Sequence, residues 1–73
     1  MIICLIIMKN SLKVERAKKN YTQQDLAELI QVSRQTINGI ESGKYVPSTV
    51  LALKIARVFE IPVEEIFQLD EED

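Results

Sequence analysis

Two helix start signals stand so close together in this chain that only a short turn fits between the helices they begin. Thr22 and Asp25 form the first signal, since a Thr side chain can accept from the amide three residues on and an acid suits the first turn. Ser33 forms the second, just after the apolar stripe of the first helix ends at Ile30. Helices joined by so short a turn must cross steeply, and the small Ala27 permits their close contact. The outer face of the second helix is therefore predicted to project from the body.

The remainder of the chain is also predicted to form short helices. No long run of alternating apolar and polar residues competes with them. Gly43 can supply the left-handed residue that ends a helix, and Ser48 can cap the next one. We predict an all-α, compact five-helix domain with helices over Ser11 to Lys19, Thr22 to Ile30, Ser33 to Glu41, from Ser48 through Phe59, and Pro62 to Phe67.

The inventory of residues excludes most catalytic chemistry. With 73 residues, no His and one Cys, the chain cannot build a Cys/His zinc site, a His-dependent nucleophile or an internal disulfide. We expect no enzyme activity, no metal, no cofactor and no small-molecule site. A domain this short has a thin core, which favours a partner subunit.

Charge is distributed unevenly along the chain. All nine Lys and Arg residues lie between Lys9 and Arg57 among only four acids, whereas Val58 to Asp73 holds seven acids and no base. The basic part can attract a polyanion despite the net charge of −2, because electrostatic steering depends on the field of one face. The alternative is that the basic residues and the acidic residues are both ordinary solvated surface with no charged partner.

The first seven residues are an apolar run that is too short to span a bilayer and lacks the basic start of a signal peptide. A cytoplasmic protein is the expectation. Either Met8 is the native start and the run a leader, or Ile2 to Ile7 forms an edge or intersubunit strand. The predicted divisions are residues 1–10 as leader or strand, 11–69 as the domain, and 70–73 as an acidic tail.

Taken together, the caps, the small residue, the apolar spacing and the loop resemble the helix-turn-helix transcriptional regulators of the Cro/CI type, also called lambda-repressor-like or XRE-type. The resemblance covers Leu12 to about Leu69. Its most specific stretches are Thr22 to Ala27, Val32 to Asn38 and Ile40 to Lys44, followed by Pro47 and the stretch Ala52 to Ile55. It implies a sequence-specific regulator of transcription that binds double-stranded DNA and acts as a repressor.

By that resemblance, the helix Ser33 to Glu41 would lie in the major groove and the helix Thr22 to Ile30 across the DNA backbone. Arg34, Gln35 and Asn38 would read base edges, since Arg can fork onto guanine, and Gln or Asn can pair bidentately with adenine. Thr36 would either reach a phosphate or bond back within its own turn. The implied backbone contacts are Gln23, Ser33, Thr36, Ser42, Lys44 and Tyr45.

The resemblance also implies a structural ion pair between Arg16 and Glu41. Three residues depart from the family pattern. Gln31 stands where Gly is usual, so the turn must hold a non-Gly residue with positive φ or take a different path. Gly39 is expected to face outward and to remove a possible base contact, and Glu15 occupies a usually apolar position.

One recognition helix contacts few base pairs, so we expect a homodimer on a palindromic operator. Leu53 lies off the inward stripe of its helix, and the acidic C-terminal part is poorly suited to face phosphates. The candidate interface residues are Leu53, Ile61, Val63, Ile66 and Leu69, unless they complete a monomer core. A short sheet pairing Lys9 to Leu12 with Phe67 to Leu69 would be similar to small cytolysin-repressor-type members.

A second function stays open at this point. An antitoxin-like subunit could use its acidic C-terminal end to bind a partner protein, although the tail could equally serve solubility.

Overall fold

The computed structural model describes residues 8–44 and 46–69 of the chain. The predicted leader before Met8, Tyr45 and the acidic tail 70–73 lie outside these residues. The elements are β1 (Met8–Asn10), α1 (Leu12–Lys18), α2 (Gln23–Ile30), α3 (Arg34–Glu41), α4 (Thr49–Phe59), α5 (Val63–Ile66) and β2 (Phe67–Leu69). The predicted all-α class with five helices and a short terminal sheet is confirmed.

Side-chain caps begin the three central helices, as the sequence predicts. Thr22 Oγ1 accepts from the Asp25 amide at 2.9 Å, and Asp25 Oδ2 accepts from the Thr22 amide at 2.9 Å, which completes a capping box. Ser33 caps α3 and Ser48 caps α4 in the same way, each accepting from an amide three residues on at 3.1 Å. Each such cap is worth about 1 kcal/mol, so the helix starts are set locally.

The turn between α2 and α3 takes the left-handed path. Gln31 has φ 63° and ψ 48°, so the first of the two predicted alternatives is the one observed. The Val32 amide donates to the Ala27 carbonyl at 2.9 Å and closes the end of α2. Ala27 is fully buried. The steep crossing of α2 and α3 therefore depends on one small side chain and one strained backbone position.

The core lies between the helices and is entirely apolar among the described residues. Its fully buried large side chains come from all five helices: Leu12, Leu26, Ile37, Ile40, Ile55 and Ile66. Ala56 of α4 is also buried. Leu51, Ala52 and Val58 of the same helix are partly buried against the core.

Gly39 is buried, so the expectation that it faces outward is wrong. The reason is the loop that follows α3. Both the Ser42 hydroxyl, at 3.2 Å, and the Lys44 amide, at 2.9 Å, donate to the Gly39 carbonyl and fold the loop back over it. A helical-wheel projection of α3 does not show that the loop after the helix bonds back to Gly39.

The terminal strands pair antiparallel with Met8 opposite Leu69 and Asn10 opposite Phe67. The predicted sheet exists, but the prediction that β1 extends to Leu12 is wrong. The Ser11 amide donates to the Ile66 carbonyl at 2.9 Å, and Leu12 begins α1 as a fully buried core residue. The first strand therefore ends as soon as the chain has to enter the core.

The fifth helix is shorter than predicted. Pro62 precedes it as an extended residue with φ −60° and ψ 146°, and Phe67 already belongs to β2. Ile66 and Phe67 are nevertheless both buried in the core. Within residues 8–44 and 46–69, no helix is long and apolar enough to cross a membrane.

Candidate nucleic-acid interface

The outward face of α3 brings the three predicted base-reading residues together. Arg34, Gln35 and Asn38 are exposed at positions i, i+1 and i+4, while Ile37 and Ile40 anchor the opposite face in the core. The three exposed side chains line an open groove of about 540 Å³ together with Ser33 and Gln24. The buried side of α3 thus fixes the helix to the core, and its exposed polar side is available to a binding partner.

Gln24 belongs to this groove, although the sequence did not single it out. It lies in the first turn of α2, is exposed, and its Nε2 donates to Glu28 Oε2 at 3.0 Å. Gln23 and Gln24 are adjacent at the start of α2, and the sequence alone does not show which of them lines the groove. In the structure Gln24 lines it, whereas Gln23 bonds Glu41 and Asn38.

The side chain of Gln23 points inward, and both hydrogens of its side-chain amide are donated within the protein. Its Nε2 donates to Glu41 Oε1 at 3.1 Å and to Asn38 Oδ1 at 3.4 Å. The remaining Oε1 is an acceptor and cannot bond a phosphate oxygen. The expectation of a side-chain contact to phosphate therefore disagrees with this geometry. The backbone amide of Gln23, which has no partner within the described residues, is the group that could still reach one.

Arg16 and Glu41 approach each other at two points. Arg16 Nε lies 2.7 Å from Glu41 Oε2, and Nη2 lies 3.2 Å from Oε1, while Nη1 donates to the Tyr21 carbonyl at 2.9 Å. The two side chains are only 15% and 7% exposed. This arrangement joins α1 to the last turn of α3 and to the start of α2, so the orientation of α3 depends on it.

The residues expected to contact the DNA backbone differ in their exposure and in the hydrogen bonds that they make within the protein. The Ser33 hydroxyl caps α3 and lies 3.0 Å from Thr36 Oγ1, so the bonding back within the turn that was one alternative for Thr36 does occur. Ser42 and Lys44 are exposed beyond the other end of α3. Tyr45 lies outside the described residues. Lys44 has no acidic partner in the described part of the chain, which leaves its charge available.

The five candidate interface residues separate into three groups. Leu53 and Leu69 are 55% and 68% exposed. Ile61 and Val63 are partly buried against the core. Ile66 is fully buried and fills the core of its own chain, which is the alternative left open for these residues.

Two further apolar residues at and before α4 are exposed. Val50 is 64% exposed one turn before Leu53 on α4, and Val46 is exposed in the preceding loop. Neither was a predicted interface residue. The signal that could have found Val50 is its spacing of three from Leu53.

No group of three or more His, Cys, Asp or Glu residues in the described ranges is arranged to hold a metal ion. Arg34 is the ionisable residue in the lining of the groove, Lys44 is an exposed cation beyond the end of α3, and the carboxylate of Glu28 bonds the groove-lining Gln24.

Comparison with known proteins gives one consistent result. A family model described as helix-turn-helix matches residues 12–66. The HTH-type transcriptional regulator YgzD of Bacillus subtilis is 48% identical over 66 residues, which cover 90% of this chain and 100% of the relative. An HTH-type transcriptional regulator of Methanocaldococcus jannaschii is 53% identical over 66 residues with the same coverage. The crystal structure of the restriction-modification controller protein C.AhdI from Aeromonas hydrophila is 33% identical and superposes with a TM-score of 0.69 over 74% of this chain and 82% of that one.

Proposed function

This chain belongs to the helix-turn-helix family of transcriptional regulators, and from that premise we propose that it is a repressor that binds a palindromic DNA operator as a homodimer. In this proposal α3 enters the major groove, α2 lies across the backbone, and the apolar part of the surface around α4 joins two copies.

The observation that carries the proposal is the polar groove built on a firmly anchored α3. Arg34, Gln35 and Asn38 project from one edge, and the apolar side of the same helix is fully buried. An α-helix fits the major groove, where Arg bonds guanine bidentately and side-chain amides bond base edges. A rigid helix with readers of these types can discriminate bases by about 1–3 kcal/mol for each good contact.

Contacts to the DNA backbone would come from the two ends of the groove. Lys44 supplies an exposed positive charge beyond the end of α3, and the free amide at the start of α2 supplies a neutral donor. Such contacts place the protein on the duplex without reading its sequence. They also make binding salt-dependent, because each neutralised phosphate releases counterions.

A dimer gives two recognition helices on one face of DNA if they stand about 34 Å apart. The exposed apolar residues Val50, Leu53 and Leu69 supply surface for the partner copy. Repression then follows from occupancy, since a dimer seated on a promoter excludes the polymerase from it.

The direct test is fluorescence anisotropy of the purified chain with a labelled duplex from upstream of its own coding region, against a shuffled duplex, at two salt concentrations. We expect preference for the upstream duplex by about 10³-fold or more, weakening with salt. Arg34→Ala should reduce the preference by the about 1–3 kcal/mol of one base contact, whereas the matched variant Arg57→Ala, an exposed Arg on α4, should retain it.

Equal and weak binding of both duplexes by the wild-type chain contradicts the proposed site upstream of its own gene. The same assay with a pool of random duplexes then decides whether any sequence is preferred. If none is, the protein is not a sequence-specific repressor, and a pull-down with the acidic tail intact tests the antitoxin-like alternative.

A further inference from the structure

The exposed face of α4 changes in chemistry along the helix. Val50, Leu53, Lys54 and Arg57 lie at positions i, i+3, i+4 and i+7, which share one side of an α-helix. All four side chains are exposed. The face is therefore apolar in its first half and positively charged in its second half.

A second groove of the surface adjoins the charged half of this face. This basic groove has a volume of about 280 Å³ and lies between the end of α2 and the second half of α4. Leu29 adds an exposed apolar side chain to it. The lining holds two cations and no acid, and consists of Leu29, Ile30, Gln31, Lys54, Arg57 and Val58.

Neither cation of the basic groove has a counter-charge among the described residues. Both ion pairs in that part of the chain involve other side chains. Residues three apart on a helix are neighbours, so Lys54 and Arg57 repel each other. The helix dipole favours Arg57 in the last turn of α4, but this does not account for Lys54 beside it. An anionic occupant would relieve the repulsion.

The chain itself contains a segment with the complementary pattern. Leu69 is exposed at the end of β2, and the acidic tail 70–73 follows it directly with four carboxylates. Pairing of the strands holds Leu69 opposite Met8, and Leu69 is not among the residues that line the basic groove of its own chain. A second copy is therefore the source from which the apolar residue and the acids can reach the groove together.

We propose that the segment Leu69 to Asp73 of one copy docks in the basic groove of a second copy. Leu69 contacts Leu29 there, and the carboxylates of the acidic tail pair with Lys54 and Arg57. The inference rests on the proposed homodimer and names the segment that joins its two copies. A symmetric interface needs a surface that complements itself, and a basic groove together with an acidic segment supplies both halves.

The test is sedimentation equilibrium of two charge-reversed variants of the full chain. The first, Lys54→Glu with Arg57→Glu, has an acidic groove and keeps its acidic tail. Each variant alone places like charges at both contacts of the dimer. Its dimer Kd should therefore rise by about tenfold or more, as expected when four exposed ion pairs are lost. The second variant keeps the basic groove and reverses the tail through Asp70→Lys, Glu71→Lys, Glu72→Lys and Asp73→Lys.

An equimolar mixture of the two variants decides whether the contact joins two copies. In the mixed dimer each tail meets a groove of opposite charge, so the Kd should return close to that of the wild type. A tail that binds the groove of its own chain cannot be rescued in this way, because each chain keeps its own mismatch. Rescue also shows that both variants are folded. A mixture that fails to associate overturns the proposal.

The matched control is Lys13→Glu with Lys19→Glu, which reverses two exposed cations on and just after α1 and changes the net charge equally. Its dimer Kd should stay close to that of the wild type. A control that weakens the dimer as much as the reversed groove does would assign the effect to net charge and overturn the proposal. Arg57→Ala alone removes one cation from each groove, and it leaves the preference between duplexes, which α3 sets, unchanged.

The outcomes also distinguish this inference from the proposed function. A wild-type chain that stays monomeric refutes the proposed homodimer and this inference with it. A dimer that both charge-reversed variants form as well as the wild type refutes the tail contact alone. If Leu53→Glu then abolishes that dimer, the interface consists of the apolar half of the α4 face without the tail.

Discussion

Arg16 Nε lies 2.7 Å from Glu41 Oε2, and the two residues are separated by 25 positions in the chain. This contact fastens the last turn of the proposed recognition helix to the first helix of the domain. Both side chains are largely withdrawn from water, so each would be an uncompensated charge without the other.

Arg16→Ala should therefore lower the free energy of unfolding by about 2–4 kcal/mol, slightly less than for a fully buried pair because some exposure remains. Urea denaturation measures it. Arg57→Ala removes an exposed Arg with no described acidic partner and should cost about 0.5 kcal/mol or less. Equal losses in the two variants would show that the pair does not stabilise the fold.

Ala27→Leu should destabilise the domain, because the side chain at the crossing of α2 and α3 is fully buried. Overpacking of this kind costs about 1–3 kcal/mol. Thermal melting followed by circular dichroism measures the change, at about 4–8 °C for each kcal/mol in a domain of this size. Ala17→Leu, at an exposed position of α1, is the control and should melt close to wild type.

Gln31→Gly should raise the melting temperature. Left-handed backbone costs an L-residue about 1–2 kcal/mol, and Gly is free of that cost but loses about 0.5–1 kcal/mol through greater unfolded-state freedom. The expected net gain lies between zero and about 1.5 kcal/mol. Gln31→Ala keeps the strain at φ 63° and should give no gain. A melting temperature that falls in the Gly variant would contradict this account of the turn.

Leu53→Glu should weaken self-association if the exposed surface of α4 joins two copies. Sedimentation velocity over a range of micromolar concentrations would show a shift toward monomer. Val14→Glu is closely matched, since Val14 is 54% and Leu53 is 55% exposed, and it should leave the association unchanged. A wild-type chain that stays monomeric at all these concentrations would remove the proposed dimer.

Lys44→Gln should weaken binding to all duplexes by a similar factor and reduce the salt slope by about one unit, as expected for a phosphate contact. Arg34→Ala should instead relax the preference at one base pair, at a cost of about 1–3 kcal/mol. Anisotropy titrations at several salt concentrations separate the two effects. A Lys44 variant that loses selectivity would place that residue among the base readers.

Local signals in the sequence were enough to predict the helix starts. Thr22, Ser33 and Ser48 act through amides three residues away, so no distant part of the chain is needed to place them. The sequence left two alternatives for the turn at Gln31, and its φ of 63° selects the left-handed one.

Long-range contacts account for what the sequence did not predict. Leu12 leaves the strand because its side chain packs in the core among residues from the other helices. The inward turn of Gln23 depends on Glu41, which Arg16 holds from a different helix. Residue types alone assign Gln23 to a phosphate, since they do not show that its donors are already used.

The pairing of β1 with β2 affects the order in which the nascent chain folds. Leu69 lies opposite Met8, so the first strand has no partner until the whole domain has left the ribosome. The helices between them make their contacts over shorter separations and can associate earlier. The sheet thus closes last, and a nascent chain halted before Phe67 would display an unpaired strand beside an otherwise assembled body.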